Sequence, residues 1–151
     1  MINHFDKEWA FLSNFYPQEI EFEGIIYPTN EHFFQAMKTL DINQRRAIAN
    51  ASTPGLAKKM GRSVSLRPDW EDIKDDIMLE GLYRKFADDE LADWLLDTGD
   101  EELVEGNWWS DNYWGVCHCK KCQAQGIQGQ NRLGQLLMKV RSEIKKERGL
   151  V

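Results

Sequence analysis

Gly106-Asn107-Trp108-Trp109-Ser110-Asp111-Asn112-Tyr113-Trp114-Gly115 is the stretch around which the rest of the chain is organised. Three of the six tryptophans and one tyrosine fall here beside Asn, Ser and Asp side chains, and neither the period of a strand nor that of a helix fits the run. Large flat rings next to one carboxylate suit a wall that stacks on a planar ligand ring while polar groups fix its orientation. The residues point to a pocket for a nucleobase or base-like ring. Core filling beneath a loop is the competing use of the same rings.

Working outward, Leu103-Val104-Glu105 reads as a short strand that delivers this stretch to one end of a small sheet. On the other side, Cys117-His118-Cys119-Lys120-Lys121-Cys122 contains all three cysteines of the chain. An odd number packed so closely is a poor disulfide framework but resembles one arm of a metal site. Three thiolates suit Zn²⁺, with His118, His4 or a water as fourth ligand, and a reduced loop without metal is the alternative. Beyond the cysteines, Gly126 and Gly129 permit close backbone approach to a ligand. Leu133, Leu136, Leu137, Val140 and Ile144 then lie at helical spacing, predicting a final helix whose start near Asn131 offers N–H groups to an anion or carbonyl.

Upstream, Glu19 to Glu23 alternates as a half-exposed strand, and Gly24 turns it into a second strand, Ile25-Ile26-Tyr27. Thr29 can cap a helix with the stripe Phe33, Met37 and Leu40. Glu31, Gln35 and Lys38 share a second face of that helix. On spacing alone, the commoner use of such a face is solvent exposure with a surface ion pair. Asp41 opens a short helix reaching Ala51. Thr53, Pro54 and Gly61 read as cap, first residue and stop of the next helix, which carries Lys58, Lys59 and Arg62. Asp69 begins a core helix with Trp70, Ile73 and Ile77 on one side, and a helix from Asp89 to Asp97 should bury Leu91, Leu95 and Trp94 before Gly99 ends it.

The 151 residues, 42% hydrophobic and 29% charged, are enough for one real core, so a single domain over 1–151 is expected, with a Cys-rich insertion at about 116–125. No apolar run approaches the ~20 residues that cross a bilayer, and the first residues lack the order of a signal peptide, so a cytoplasmic protein without membrane contact is expected. A net charge of -6 disfavours extended nucleic-acid binding while allowing a local basic pocket.

The ordered series of motifs resembles the YbiA-like family, also called NADAR domains. It comprises Phe11-Leu12-Ser13-Asn14-Phe15-Tyr16, Asn30-Glu31-His32-Phe33-Phe34-Gln35-Ala36-Met37-Lys38, Ala57-Lys58-Lys59-Met60-Gly61-Arg62 and Trp70 with Lys74 and Met78. Thr98-Gly99, Glu105-Gly106-Asn107, Ser110-Asp111-Asn112-Tyr113-Trp114-Gly115 and Gly129 through Met138 complete it. The resemblance implies an α+β domain, largely helical around a small β-sheet, that cleaves N-glycosidic bonds. Activities of the family are hydrolysis of early riboflavin-pathway intermediates and removal of ADP-ribose from guanine bases, with no cofactor required. Such cleavage builds positive charge on the sugar, so it needs an anion, a positioned water and help for the departing base.

Glu31 and Asp111 are then the candidate catalytic carboxylates, and Lys38 could orient Glu31 or assist the leaving group. Asn14, Phe15, Trp109, Trp114 and Asn131 would supply walls and polar contacts, and Lys58, Arg62 or Lys74 would reach a phosphate. The expected partner is a small nucleotide-like substrate or a single ADP-ribosylated base, with nucleic acid only as a modified substrate. The family's activity does not require the cysteine insertion.

Two other functions fit some of the residues. A zinc nucleobase deaminase would pair His32 and Glu31 with Cys119 and Cys122, but that signature wants His-x-Glu and a proline before the cysteine pair, which this chain lacks. A non-catalytic module binding ADP-ribose or a nucleotide would use the same stacking and phosphate groups.

Overall fold

The computed structural model describes residues 1–150, so Val151, the last residue of the expected domain, lies outside the described residues. The fold is α+β and about half helical. It forms two compact units, Asn14–Ala87 in one and Met1–Ser13 with the segment from Asp88 onward in the other.

In the unit Asn14–Ala87, β1 (Pro17–Phe22) and β2 (Ile25–Thr29) pair antiparallel, with Phe22 opposite Ile25. Glu23 and Gly24 both have positive φ, 49° and 80°, which matches the right-handed twist of a tight hairpin and makes glycine the natural second residue. β2 runs directly into α1 (Asn30–Ala36), because Thr29 ends the strand and its hydroxyl accepts the His32 N–H at 3.1 Å.

All seven residues of α1 are buried, and the helix touches α2 (Ile42–Ala49), α3 (Pro54–Met60), α4 (Trp70–Lys85) and both strands. This corrects two expectations. The helix stops before Leu40, which is 64% exposed, and its polar residues are buried rather than solvated. The caps behave as their chemistry predicts: Asp41 accepts from Asn43 and Gln44, and Thr53 accepts from Leu56 ahead of Pro54. On α4 the buried face is Met78, Gly81, Leu82 and Lys85, together with Trp70, whereas Ile73 and Ile77 are only half-buried.

In the other unit, a 3-10 helix (Lys7–Leu12) precedes α5 (Asp89–Asp97), β3 (Gly106–Asn107), β4 (Val116–Cys117), α6 (Lys120–Ala124) and α7 (Arg132–Glu147). α5 packs on α7, burying Leu91, Ala92 and Leu95 from one and Leu133, Leu137, Val140 and Ile144 from the other. Trp94 stays 36% exposed, edge-on to Phe11 at 5.6 Å, instead of entering the core. The expected strand at Leu103 is an isolated parallel bridge with Ile2, and regular pairing begins at Gly106, where β3 runs parallel to β4. No helix among the described residues is long and apolar enough to cross a membrane.

Candidate active site

Glu31 is 7% exposed, and its Oε2 accepts the Gln35 Nε2–H at 2.6 Å one turn along α1. Burial of both side chains rules out the solvated-face use of this surface. Gln35 Oε1 is buried without a hydrogen-bond donor among the described residues, and it lies against Gly61, where a Cβ would come within 1.9 Å of it. Asn30 is built the same way. Its Nδ2 donates to Asn14 Oδ1 at 2.8 Å, while its unpaired Oδ1 lies where a Cβ on Gly81 would stand 1.9 Å away. In a close-packed interior, only glycine leaves room for these two amides.

Asn14 also accepts the Glu31 backbone N–H through its carbonyl at 3.0 Å, so it fixes the start of α1. Phe15 beside it is 43% exposed. His32 is fully engaged: a carbonyl can only accept, so Nε2 carries the proton shared with Ala51 O at 3.0 Å, and Nδ1 accepts from Thr29 Oγ1 at 2.8 Å. Burial pushes its pKa down, which keeps the ring neutral and structural. With both nitrogens spent, His32 is not available as a metal ligand.

Lys38 follows the end of α1, half-buried, with its carbonyl held by the Arg67 N–H at 2.8 Å. Burial lowers its pKa, Glu31 raises it, and Arg62, Lys58 and Lys74 each lower it further. The three cations expected to meet a phosphate and Glu31 thus all act electrostatically on Lys38. Lys74 is also paired with Glu71. Such a cluster of cations around one carboxylate favours an anionic ligand.

Lys85 was missed by sequence reasoning. It is completely buried, with Nζ over the rings of Tyr16 at 5.8 Å and Phe86 at 5.2 Å, and burial pulls its pKa down to about 7. The available signal was its position seven residues after Met78 on α4, between Leu82 and Phe86.

In the other unit, Trp108 and Trp109 are 69% and 60% exposed, so these two rings do not fill a core. Asp111 shapes the stretch: its Oδ1 accepts the N–H groups of Tyr113 at 3.1 Å and Trp114 at 2.9 Å, and its carbonyl accepts Asn107 Nδ2 at 2.8 Å. Tyr113 and Trp114 meet edge-to-face at 4.8 Å, and the Arg132 guanidinium lies 4.7 Å above the Tyr113 ring.

The N–H groups expected at the start of α7 go to carbonyls, not to an anion. Gln130, Asn131, Arg132 and Leu133 donate to Asn112, Gly115, Tyr113 and Trp114 at 2.8 to 3.2 Å. Asn131, with φ 50°, donates from Nδ2 to Leu103 O at 2.9 Å and accepts the Glu105 N–H on Oδ1 at 3.0 Å. It therefore ties the tryptophan stretch to α7.

The three cysteine Sγ atoms all lie within 4.8 Å of one another, with Cys117 and Cys122 buried and Cys119 half-buried. The N–H of Cys122 donates to Cys119 and helps to pull that thiol down to about 7, while burial pushes the Cys117 thiol up. Neither expected histidine joins the cluster. His4 Nδ1 is 2.5 Å from Asp6, and the His118 ring lies 5.6 Å from that of Trp108. His118 directly follows Cys117 at the end of β4, and strand alternation turns consecutive side chains to opposite sides. This triad could hold a metal.

A family model described as the NADAR domain matches residues 2–145. The chain is 39% identical over 140 residues to N-glycosidase YbiA of Escherichia coli (strain K12), covering 91% of this chain and 82% of that protein. It is 37% identical over 154 residues to N-glycosidase Npun_R5314 of Nostoc punctiforme, covering 96% and 94%. It is also 34% identical to a riboflavin biosynthesis protein of Vibrio vulnificus, covering 92% of this chain and 36% of that longer one. The NMR structure of the E. coli protein YbiA superposes with a TM-score of 0.81 at 37% identity, over 98% of this chain and 87% of the other.

Proposed function

The chain belongs to the NADAR domain family, and we propose that it hydrolyses the N-glycosidic bond between a ribose phosphate or ADP-ribose and a nucleobase-like ring. As a hydrolase acting on N-glycosyl bonds, it breaks the bond from the anomeric carbon to a nitrogen of the base-like group. Water oxygen adds to that carbon, and a proton ends on the departing nitrogen.

The observation that carries this reading is the buried Glu31–Gln35 pair within the field of Lys38, Lys58, Arg62 and Lys74. The Gln35 amide fixes Glu31, giving a preorganised anion to face the positive charge that develops on the sugar. Burial and the neighbouring cations make Lys38 a readier proton donor than a surface lysine, which suits it to the leaving group. Lys58, Arg62 and Lys74 are assigned to the phosphate. Asp111 is the second candidate carboxylate and also holds its own turn, Trp109 and Trp114 are assigned to stacking, and Phe15, Asn14 and Asn131 to lining and support.

For the substrate, we favour a small phosphorylated N-riboside or a single ADP-ribosylated base over a long polymer. Two relatives are named N-glycosidases and one a riboflavin biosynthesis protein, and all such substrates combine ribose, phosphate and a flat ring. The test is mass-spectrometric detection of free base from ADP-ribosylated guanosine and from early riboflavin-pathway intermediates. Tight binding with no base released from any of them would favour the non-catalytic module.

A further inference from the structure

We propose that Cys117, Cys119 and Cys122 bind one Zn²⁺ ion as three thiolates, with an oxygen of Ser110 or water as fourth ligand, and that this ion clamps the turn bearing Trp109 and Asp111. The sulfurs come from three positions that local structure fixes. Cys117 ends β4, Cys119 is the N-cap of α6, and Cys122 lies inside α6. A four-coordinate ion with Zn–S bonds of about 2.3 Å needs sulfurs about 3.8 Å apart. The present spacing, within 4.8 Å, requires only a small contraction.

The surroundings suit thiolates. Cys117 Sγ accepts the N–H groups of Ser110 at 3.2 Å and Cys119 at 3.4 Å, Cys119 Sγ that of Cys122 at 3.4 Å, and Cys122 Sγ the Asn112 side-chain amide at 3.4 Å. Every sulfur thus receives an N–H, the pattern that holds metal-bound thiolates in place and spreads their charge. A disulfide would leave the third of these sulfurs unused. The Ser110 hydroxyl stands 3.7 Å from Cys122 Sγ, which makes it the nearest candidate oxygen on the turn side of the cluster. Three thiolates on Zn²⁺ leave one negative charge, and the exposed Lys120 and Lys121 stand next to the ligands to offset it.

The same contacts explain the clamp. Ser110 and Asn112 flank Asp111 and hold the sulfurs from the turn side, while Asn112 Oδ1 accepts the Cys117 N–H at 3.0 Å. Ser110 itself has φ 68°, a conformation that needs its surroundings to hold it. Fixing the sulfurs therefore fixes 110–112 and the rings on either side.

The experiment begins with elemental analysis of the purified, reduced chain, expected to give about one zinc per chain, released as a mercurial titrates the three thiols. Cys119→Ser should lose the metal. Independently of any variant, Co²⁺ added to the chelator-treated wild-type chain should give a thiolate-to-metal charge-transfer band and the intense visible bands of tetrahedral cobalt. Absence of zinc together with a spectrum of merely hydrated Co²⁺ would overturn the site. For the clamp, chelation should speed hydrogen exchange of the amides of 109–117, and unchanged exchange there overturns that part.

Discussion

Replacing Lys85 by Met should stabilise the protein at neutral and mildly acidic pH, by an amount set by the cost of burying the amine. Its pKa falls from 10.5 to about 7 because burial disfavours the ammonium. That drop is worth about 5 kcal/mol when both folded and unfolded chains are protonated, below pH 7. The sign follows from proton counting. Between the folded and unfolded pKa values the unfolded chain binds the extra proton, so wild-type stability climbs as pH rises from about 7 towards 10.5, and the penalty is complete below that window.

Contacts with the rings of Tyr16 and Phe86, together with the other interactions of the amine, return part of the cost, so the net gain for Lys85→Met near pH 6 is expected at about 2–4 kcal/mol. Met has a similar length and fills the same volume without charge. Urea denaturation of both proteins from about pH 6 to about pH 9 reads the effect. Their difference should shrink by roughly 2–3 kcal/mol across that range. A difference that does not change with pH, or a variant less stable than wild type near pH 6, would refute the reasoning.

Three further outcomes are expected. Glu31→Gln keeps the shape and the contact with Gln35 but removes the anion, so kcat should fall by about 10²–10⁴-fold while substrate binding, measured by calorimetry, persists. Gly61→Ala places a methyl where the Gln35 amide lies, and displacing that amide by about 1 Å should cost about 10²-fold in kcat/KM, with the melting temperature reporting any wider damage. Cleavage of a mononucleoside and of an oligonucleotide carrying the same lesion should depend similarly and weakly on salt, since a net charge of -6 gives a polyanion little long-range attraction; a strong oligonucleotide preference that collapses with salt would show otherwise.

Punctuation was the legible part of the fold. Asp41, Thr53 with Pro54, and the glycine at 24 act through chemistry confined to a few neighbouring residues, and they appear where the sequence puts them. α1 was misjudged because helical periodicity reports one buried face, whereas this short helix is enclosed all round and reads as if half of it were solvated. Glu31 and Lys38 could be nominated, but the convergence of Lys58, Arg62 and Lys74 on them depends on how α3 and α4 pack on α1. Lys85 escaped for the opposite reason: its spacing from Met78 puts it on the buried face, but a lysine on a charged helix ordinarily reaches solvent, and only tertiary packing seals this one from water. The short α6 within the cysteine loop was also invisible, since five residues carry too little periodicity to detect.

The bridge between Ile2 and Leu103 has a consequence for how the chain is born. Val104 donates to Ile2 O at 2.8 Å and Ile2 donates to Glu102 O at 2.9 Å, so one compact unit is assembled from both ends of the chain while the other is a continuous insertion between them. During synthesis, Asn14–Ala87 emerges whole and can fold on local contacts while the ribosome is still working downstream. The first segment must wait, unpaired, until the chain beyond Leu103 clears the exit tunnel. Closing so long a loop costs only a few kcal/mol if the intervening part is flexible, and less when it has already condensed. The order of emergence thus lets residues 14–87 fold before the bridge between Ile2 and Leu103 closes.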